Sequence, residues 1–138
     1  MAAKRSLPAA GDVLLDTTVV VAHLRGVGAV SQRLTEIQTR YLSTVSLGEL
    51  HYGVHRSAHP NENLRQLERW LRVTVLLPVS PTTAEHYGRL KDQLSRAGTP
   101  IPENDLWIAA QAMEHGLPLA TRDAHFDHVP GLSVLDWH

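Results

Sequence analysis

Short, mainly apolar runs alternate with longer segments of helical pattern along nearly the whole chain. The run at residues 13–15 is wholly apolar, which is typical of a strand in a parallel sheet covered by helices on each side. We predict five strands, at residues 13–15, 41–44, 75–79, 117–120 and 132–135. Because helices separate them, without repeats or linkers, the pattern predicts an α/β fold: a three-layer α/β/α domain with a central parallel sheet.

The segments between these strands carry the apolar periodicity of helices. We predict helices at about 16–25, 29–39, 46–58, 62–72, 80–97 and 103–115, and a short one after residue 123. A chain of 138 residues is the size of one domain. Residues 1–12 read as a polar leader containing Ala, Pro and Gly, so we predict a leader over 1–12 and a single domain over 13–138.

Composition excludes several classes of function. The chain contains no cysteine, which removes disulfides, thiolate zinc sites and cysteine nucleophiles together. A formal net charge of -1 predicts no global attraction to nucleic acid, so such binding would need a local basic surface or a metal-assisted site. No apolar run is long enough for a membrane span or a signal peptide, and we therefore expect a cytoplasmic protein.

Four acidic residues stand where apolar runs give way to helical patterns: Asp16, Glu49, Asp105 and Asp123. In parallel α/β sheets, sites form at the carboxyl ends of the strands, where Asp16 and Asp123 fall. Oxygen ligands gathered there are what Mg²⁺ or Mn²⁺ requires. The pattern predicts a metal-dependent enzyme of phosphoryl transfer.

Each acid taken alone has a structural alternative. Asp16 and Asp123 could be helix N-caps, and Ser46 with Glu49 has the spacing of a capping box. Asp105 would be favoured in a first helical turn by the helix dipole. The group favours the metal site, because the apolar neighbours of Asp105 make an unpaired charge costly and no nearby lysine neutralises it.

Four motifs, in this order, resemble the signatures of a PIN domain: Asp16-Thr17-Thr18-Val19, Ser46-x-x-Glu49-Leu50, Asp105-Leu106-x-Ile108-Ala109-Ala110 and Thr121-Arg122-Asp123-x-x-Phe126. Within that family the short length and the ending Val129-Pro130-Gly131-Leu132 resemble VapC-type toxins. The resemblance implies a PIN-like fold and a Mg²⁺- or Mn²⁺-dependent endoribonuclease whose acidic quartet is Asp16, Glu49, Asp105 and Asp123. It also implies an RNA substrate, a VapB-like antitoxin bound in a groove and a homodimer. The chain departs from the family in its longer leader and in His125, which stands where an acid often precedes the phenylalanine.

One or two divalent ions can activate water and neutralise phosphate during phosphodiester hydrolysis. Our hypothesis is that Asp16 and Asp105 are the most direct ligands, while Glu49 and Asp123 hold a second ion and orient the nucleophile. Thr17 or Thr121 would supply a hydroxyl to the water on the metal, and Arg122 would contact phosphate. The sequence does not decide between one ion and two, and it does not identify the RNA target.

Two further patterns have both functional and structural interpretations. His51, His55 and His59 recur at helical spacing and could bind Zn²⁺ or RNA, although a solvated polar face is the simpler reading. The stripe Arg65, Arg69 and Arg72 could follow an RNA backbone or be the outer face of an amphipathic helix. His125 and His128 could approach RNA or lie on the surface.

Two rival functions remain to be weighed. A receiver of the aspartyl-phosphate type would need paired early acids and a lysine after a late strand, and no lysine follows Lys91. A catalytically inactive PIN-like module would bind RNA or protein without cleavage. The presence of all four acids favours the nuclease over that module.

Overall fold

The computed structural model describes residues 4–6 and 11–138, and its strands form one sheet. The strands are β1 (Lys4–Ser6), β2 (Asp12–Leu15), β3 (Thr39–Ser43), β4 (Val75–Leu77), β5 (Leu119–Thr121) and β6 (Ser133–Asp136). The helices are α1 (Thr17–Leu24), α2 (Gly28–Leu34), α3 (Thr44–Arg56), α4 (Pro60–Leu71), α5 (Pro81–Ala97) and α6 (Glu103–His115), with a 3₁₀ helix at Ala124–His128. None of the described helices combines the length and apolar character that crossing a bilayer requires.

All strand pairs are parallel, and the order across the sheet is β1-β6-β5-β2-β3-β4. Strand β2 lies between β5 and β3, where it is covered on both faces, and its residues Val13, Leu14 and Leu15 are buried. The predicted fold class, a parallel sheet between helices, is confirmed. The carboxyl ends of β2 and β5 lie side by side in the middle of this sheet.

Successive side chains of β2 enter two different cores. Val13 and Leu15 pack with α1 to α4, in a cluster that includes Trp70. Leu14 points to the other face and packs with α5, α6 and the 3₁₀ helix, including Phe126. The alternation follows from the period of two in a strand, and it divides the helices into the two outer layers.

The segment that we predicted as a leader contains a sixth strand. Strand β1 pairs with β6 at the edge of the sheet, in the register Lys4 with Ser133 and Ser6 with Leu135. Its sequence Lys-Arg-Ser has no apolar run, so periodicity could not reveal it. The boundary between residues 12 and 13 stays a prediction.

The end of α2 and the start of α3 differ from their predicted positions. Helix α2 ends at Leu34 rather than near residue 39, and Thr39 already belongs to β3. Helix α3 begins at Thr44, two residues earlier than expected, because the Ser43 side chain accepts a hydrogen bond from the Val45 amide at 3.0 Å and caps the helix.

The earlier start of α3 changes the role of Ser46. Ser46 lies inside the helix and is fully buried, so the capping-box interpretation of Ser46 and Glu49 was wrong. Its Oγ has no hydrogen-bond partner among the described residues. Glu49 is consequently in mid-helix, one turn further along, and turns toward α1.

Helix α3 also ends earlier than predicted, at Arg56. Pro60 then begins α4 in the first-turn position that suits proline. His59 is the N-cap residue of α4, so it does not share a helical face with His51 and His55.

Candidate active site

One open pocket, about 460 Å³ in volume, is lined by Asp16, Glu49, Asp105 and Asp123. Asp16 follows β2, Asp123 comes two residues after β5, Glu49 comes from α3 and Asp105 from the first turn of α6. The structure thus brings the four acids together from parts of the chain up to about a hundred residues apart.

Asp16 is the most deeply placed of these acids, with 2% of its surface exposed. Thr18 Oγ1 donates a hydrogen bond to Asp16 Oδ2 at 2.7 Å, and Thr121 Oγ1 donates to the same oxygen at 2.8 Å. Although Asp16 occupies the N-cap position of α1, its side chain makes no capping bond in the described structure. Two hydroxyls therefore hold Oδ2 of the Asp16 carboxylate.

The backbone after β5 orients both hydroxyls. Thr18 Oγ1 accepts from the Arg122 amide at 3.1 Å, and Thr121 Oγ1 accepts from the Asp123 amide at 3.0 Å. A hydroxyl has a single proton, so accepting from an amide leaves that proton for Asp16. We predicted Thr121 as a partner of metal-bound water; the structure instead places it against Asp16, and it adds Thr18, which our sequence analysis did not assign.

Glu49 is held by a hydroxyl of a different helix. Thr17 Oγ1, in the first turn of α1, donates to Glu49 Oε1 at 2.7 Å. This bond crosses from α1 to α3 and fixes the carboxylate at the wall of the pocket. Thr17 is therefore near the site as expected, bonded to a carboxylate.

Asp105 and Asp123 share a histidine. His125 Nδ1 lies 3.3 Å from Asp105 Oδ2 and 3.1 Å from Asp123 Oδ2. The His125 amide also donates to Asp123 Oδ1 at 2.9 Å, so Asp123 caps the 3₁₀ helix, and its structural interpretation holds beside the functional one.

A possible metal-binding group is formed by Asp105, Asp123 and His125, whose ligand atoms all lie within 4.8 Å of one another. In the part of the chain that the structure describes, no other set of three such side chains is close enough to share an ion. The histidines at 51, 55 and 59 do not belong to this group. The zinc interpretation of those histidines thus gains no support from the structure.

Crowding of the acids disfavours their charged forms. Burial, followed by the charge of Asp16, raises the pKa of Asp105 to about 6, against the opposing hydrogen bond from His125. Burial also raises the pKa of Asp16, although the hydrogen bonds from Thr18 and Thr121 oppose the change. A divalent cation would relieve both costs, and an oxygen-rich donor set of this kind fits such an ion.

Two arginines line the same pocket. Arg122 is tethered through Nη1, which donates to the Trp137 carbonyl at 2.9 Å. Arg25, at the end of α1, was not among the predicted site residues. Nothing in the local sequence distinguishes Arg25, because only the packing of α1 in the folded domain brings its C-terminal end to the pocket.

The model of the PIN domain family matches residues 13–132, which include all four acids. The chain belongs to the PIN-domain family. This PIN domain is 32% identical over 133 residues to ribonuclease VapC2 of Haemophilus influenzae, an alignment that covers 90% of the chain and 96% of the relative. It is 34% identical over 134 residues to ribonuclease VapC5 of Mycobacterium tuberculosis, covering 94% of each. The predicted relationship to VapC-type toxins is confirmed.

Solved structures give the same grouping. The PIN domain superposes on a chain of VapBC2 from Rickettsia felis, crystallised with a DNA fragment from its promoter, with a TM-score of 0.87 and 27% identity. That match covers 92% of this chain and 99% of the other. DNA-bound VapBC from Salmonella typhimurium matches with a TM-score of 0.84 and 27% identity, covering 94% and 99% of the two chains.

We predict that Asp105→Asn stabilises the protein when no metal is present. A carboxylate whose pKa rises on folding, from 3.8 to about 6, weakens the fold once it ionises. The substitution should raise the free energy of unfolding at pH 7 by about 1–2 kcal/mol, because Asp105 is partly open to solvent.

The pH dependence follows with a defined sign. The wild-type chain should lose stability as pH rises between about 4 and 6, the window between the unfolded and folded pKa values of Asp105, and the variant should lack that component. Urea unfolding in EDTA from pH 4 to 8 measures the stability of the wild-type chain and of the variant. Parallel curves for the two proteins would contradict the prediction.

Proposed function

We propose that this PIN domain is a divalent-metal-dependent endoribonuclease and the toxin of a toxin–antitoxin pair. The observation that carries the proposal is the convergence of Asp16, Glu49, Asp105 and Asp123 on one open pocket. Relatives bear the names ribonuclease VapC and, in Salmonella typhimurium, tRNA(fMet)-specific endonuclease VapC, which is 33% identical over 97 residues. An RNA substrate would place the activity in the cytoplasm.

Asp16 and Asp105 are the residues we propose as the principal metal ligands, with Mg²⁺ or Mn²⁺ as the ion. Asp16 is suited to this because its second oxygen is already fixed by Thr18 and Thr121. The chemistry that such a cation supplies when bound is neutralisation of phosphate charge and activation of water.

The remaining acids would complete the reaction geometry. Glu49, fixed by Thr17 at the pocket wall, would accept a hydrogen bond from an attacking water. Asp123 would contribute to a second ion. No histidine is needed as general base, since the cation lowers the pKa of water.

The alternative, an inactive PIN-like module that binds RNA or protein, makes a different demand on the site. Such a module could lose one acid without consequence, whereas here all four line the pocket and two have raised pKa values. Retaining that electrostatic cost is expected of a site that binds cations. The first experiment below separates the two functions.

Cleavage of total RNA by the purified chain tests the proposal directly. With Mg²⁺ or Mn²⁺ we expect discrete fragments, absent in EDTA, and Asp16→Asn should reduce the rate by about a hundredfold or more. Asp92→Asn is the matched control, because Asp92 is an exposed acid on α5 paired with Arg96. If the wild type and Asp16→Asn are both folded and bind RNA but neither cleaves it, the correct function is that of the inactive binding module.

Arg25 should contact substrate phosphate, since it lines the acidic pocket from the exposed end of α1. Arg25→Ala should weaken RNA cleavage mainly through KM, by about tenfold for one lost charged contact, and leave Mn²⁺ affinity unchanged. Single-substrate kinetics with a cleaved oligonucleotide measures this. Arg65→Ala is the matched comparison: an equal loss there would instead assign RNA contact to the arginine stripe.

A second opening adjoins the acidic pocket. This partner groove, about 280 Å³ in volume, lies between α1, α3 and α4 and is lined mainly by apolar side chains: Val21, Leu24, Leu50, Val54 and Leu67. Arg25 and Glu49 line both openings. We propose that a VapB-like antitoxin lays an apolar segment in this groove, in keeping with the VapBC complexes that the fold resembles. The homodimer stays a prediction.

Gly53 allows a sharp test, because it lines the groove and a Cβ atom added there meets nothing within 4 Å. Gly53→Leu should fill the groove and weaken antitoxin binding by about tenfold or more while preserving the fold, since leucine favours helix. The probe is a VapB-like antitoxin, and its affinity for each variant is measured by calorimetry.

Gly88→Leu is the matched control, at an equally open helical glycine on α5. Its antitoxin affinity should equal that of the wild type. Unchanged affinity in Gly53→Leu would remove the groove from consideration.

A further inference from the structure

We infer that His125 is itself a metal ligand, so that the site is a mixed nitrogen and oxygen site that selects Mn²⁺ over Mg²⁺. The inference rests on the proposed function for the pocket and goes beyond it in naming the ligand and the ion. It starts from the cluster Asp105, Asp123 and His125, which the acidic quartet alone does not contain.

Two of the three spacings between the ligand atoms are close to those of neighbours around one ion, and the third is within 4.8 Å. Ligands at right angles around a cation, each at about 2.1 Å, lie about 3 Å apart. His125 Nδ1 is 3.1 Å from Asp123 Oδ2 and 3.3 Å from Asp105 Oδ2, so a small displacement of the side chains would admit an ion between them.

Two carboxylate oxygens and the imidazole nitrogen of His125 meet at this point. A proton on the nitrogen, or a cation between the three atoms, is needed to offset the repulsion between the carboxylates. Asp105 is only 16% exposed and Asp123 31%, which limits the screening by water. The arrangement therefore favours positive charge at this point.

Local structure holds the imidazole in place. The His125 amide is bonded to Asp123 Oδ1, and the next residue, Phe126, is fully buried in the core. The 3₁₀ helix is thus anchored on one side of His125 while the imidazole side chain itself stays 53% exposed. Exposure leaves room for water molecules to complete an octahedral shell.

Nitrogen changes the preferred ion. Mg²⁺ favours oxygen ligands, whereas imidazole suits first-row transition ions. A neutral imidazole in place of a carboxylate also removes one negative charge from the ligand set, which weakens attraction for Mg²⁺ most because Mg²⁺ has little covalent affinity for nitrogen.

Electron spin-echo spectroscopy of the chain loaded with Mn²⁺ alone tests the ligand. We expect the ¹⁴N modulation of a coordinated imidazole in wild type, its loss in His125→Gln and its retention in His128→Gln. His128 is the matched control, an exposed histidine on the same 3₁₀ helix that lies outside the cluster. Wild-type spectra without nitrogen modulation would overturn the inference.

Selectivity is measured by calorimetry with Mn²⁺ and Mg²⁺, in the absence of RNA. His125→Glu restores an all-oxygen set and should lower the preference for Mn²⁺ over Mg²⁺ by about tenfold. A preference that stays within about twofold of wild type would refute the selectivity. Circular dichroism of each variant checks folding.

The two proposals can fail separately. Nitrogen-coordinated Mn²⁺ in a chain that leaves RNA intact would end the nuclease proposal and preserve the ligand assignment. Metal-dependent RNA cleavage without ¹⁴N modulation would preserve the nuclease proposal and end the ligand assignment.

Discussion

The arrangement of the site depends on the hydrogen bonds that two threonine hydroxyls donate to one buried oxygen of Asp16. The register of β2 against β5, Leu15 beside Ala120, brings Asp16 next to Thr121, and the Asp16 amide donates to the Ala120 carbonyl at 2.9 Å. A slip of one residue would turn Thr121 to the opposite face and leave the carboxylate without one of its two hydroxyl donors. The centre of the sheet and the centre of the site are therefore fixed by the same pairing.

Two kinds of support surround that centre. Hydroxyls on α1 and at the end of β5 fix Asp16 and Glu49 on one side of the pocket. On the other side an imidazole joins Asp105 and Asp123, which come from different elements. The first side is more deeply buried and fixed by neutral donors, whereas the second is open to solvent. Positive charge, as a proton or a cation, can consequently reach the second side from solvent and leave it again.

The sequence was sufficient for the fold class, five of six strands and the four acids, because apolar runs and strand ends leave local signals. It was insufficient where the decisive partner is distant in sequence. Thr18 and Arg25 acquire their positions only when α1 packs beside the loop after β5. Strand β1 has no apolar pattern, and the cap at Ser43 competed with an equally plausible one at Ser46. His125 did leave a signal, as the residue that departs from the family pattern.

Crowded carboxylates also connect the lifetime of the protein to its surroundings. A cation that binds the folded chain and ignores the unfolded one adds stability by mass action, about 2.7 kcal/mol when it is present at a hundred times its dissociation constant. Proteases act on the unfolded or opened chain, so a scarcity of the ion would speed its turnover. Occupancy of the pocket by such a cation would thereby make persistence of this protein in the cell depend on the free divalent metal, even when no RNA is being cut.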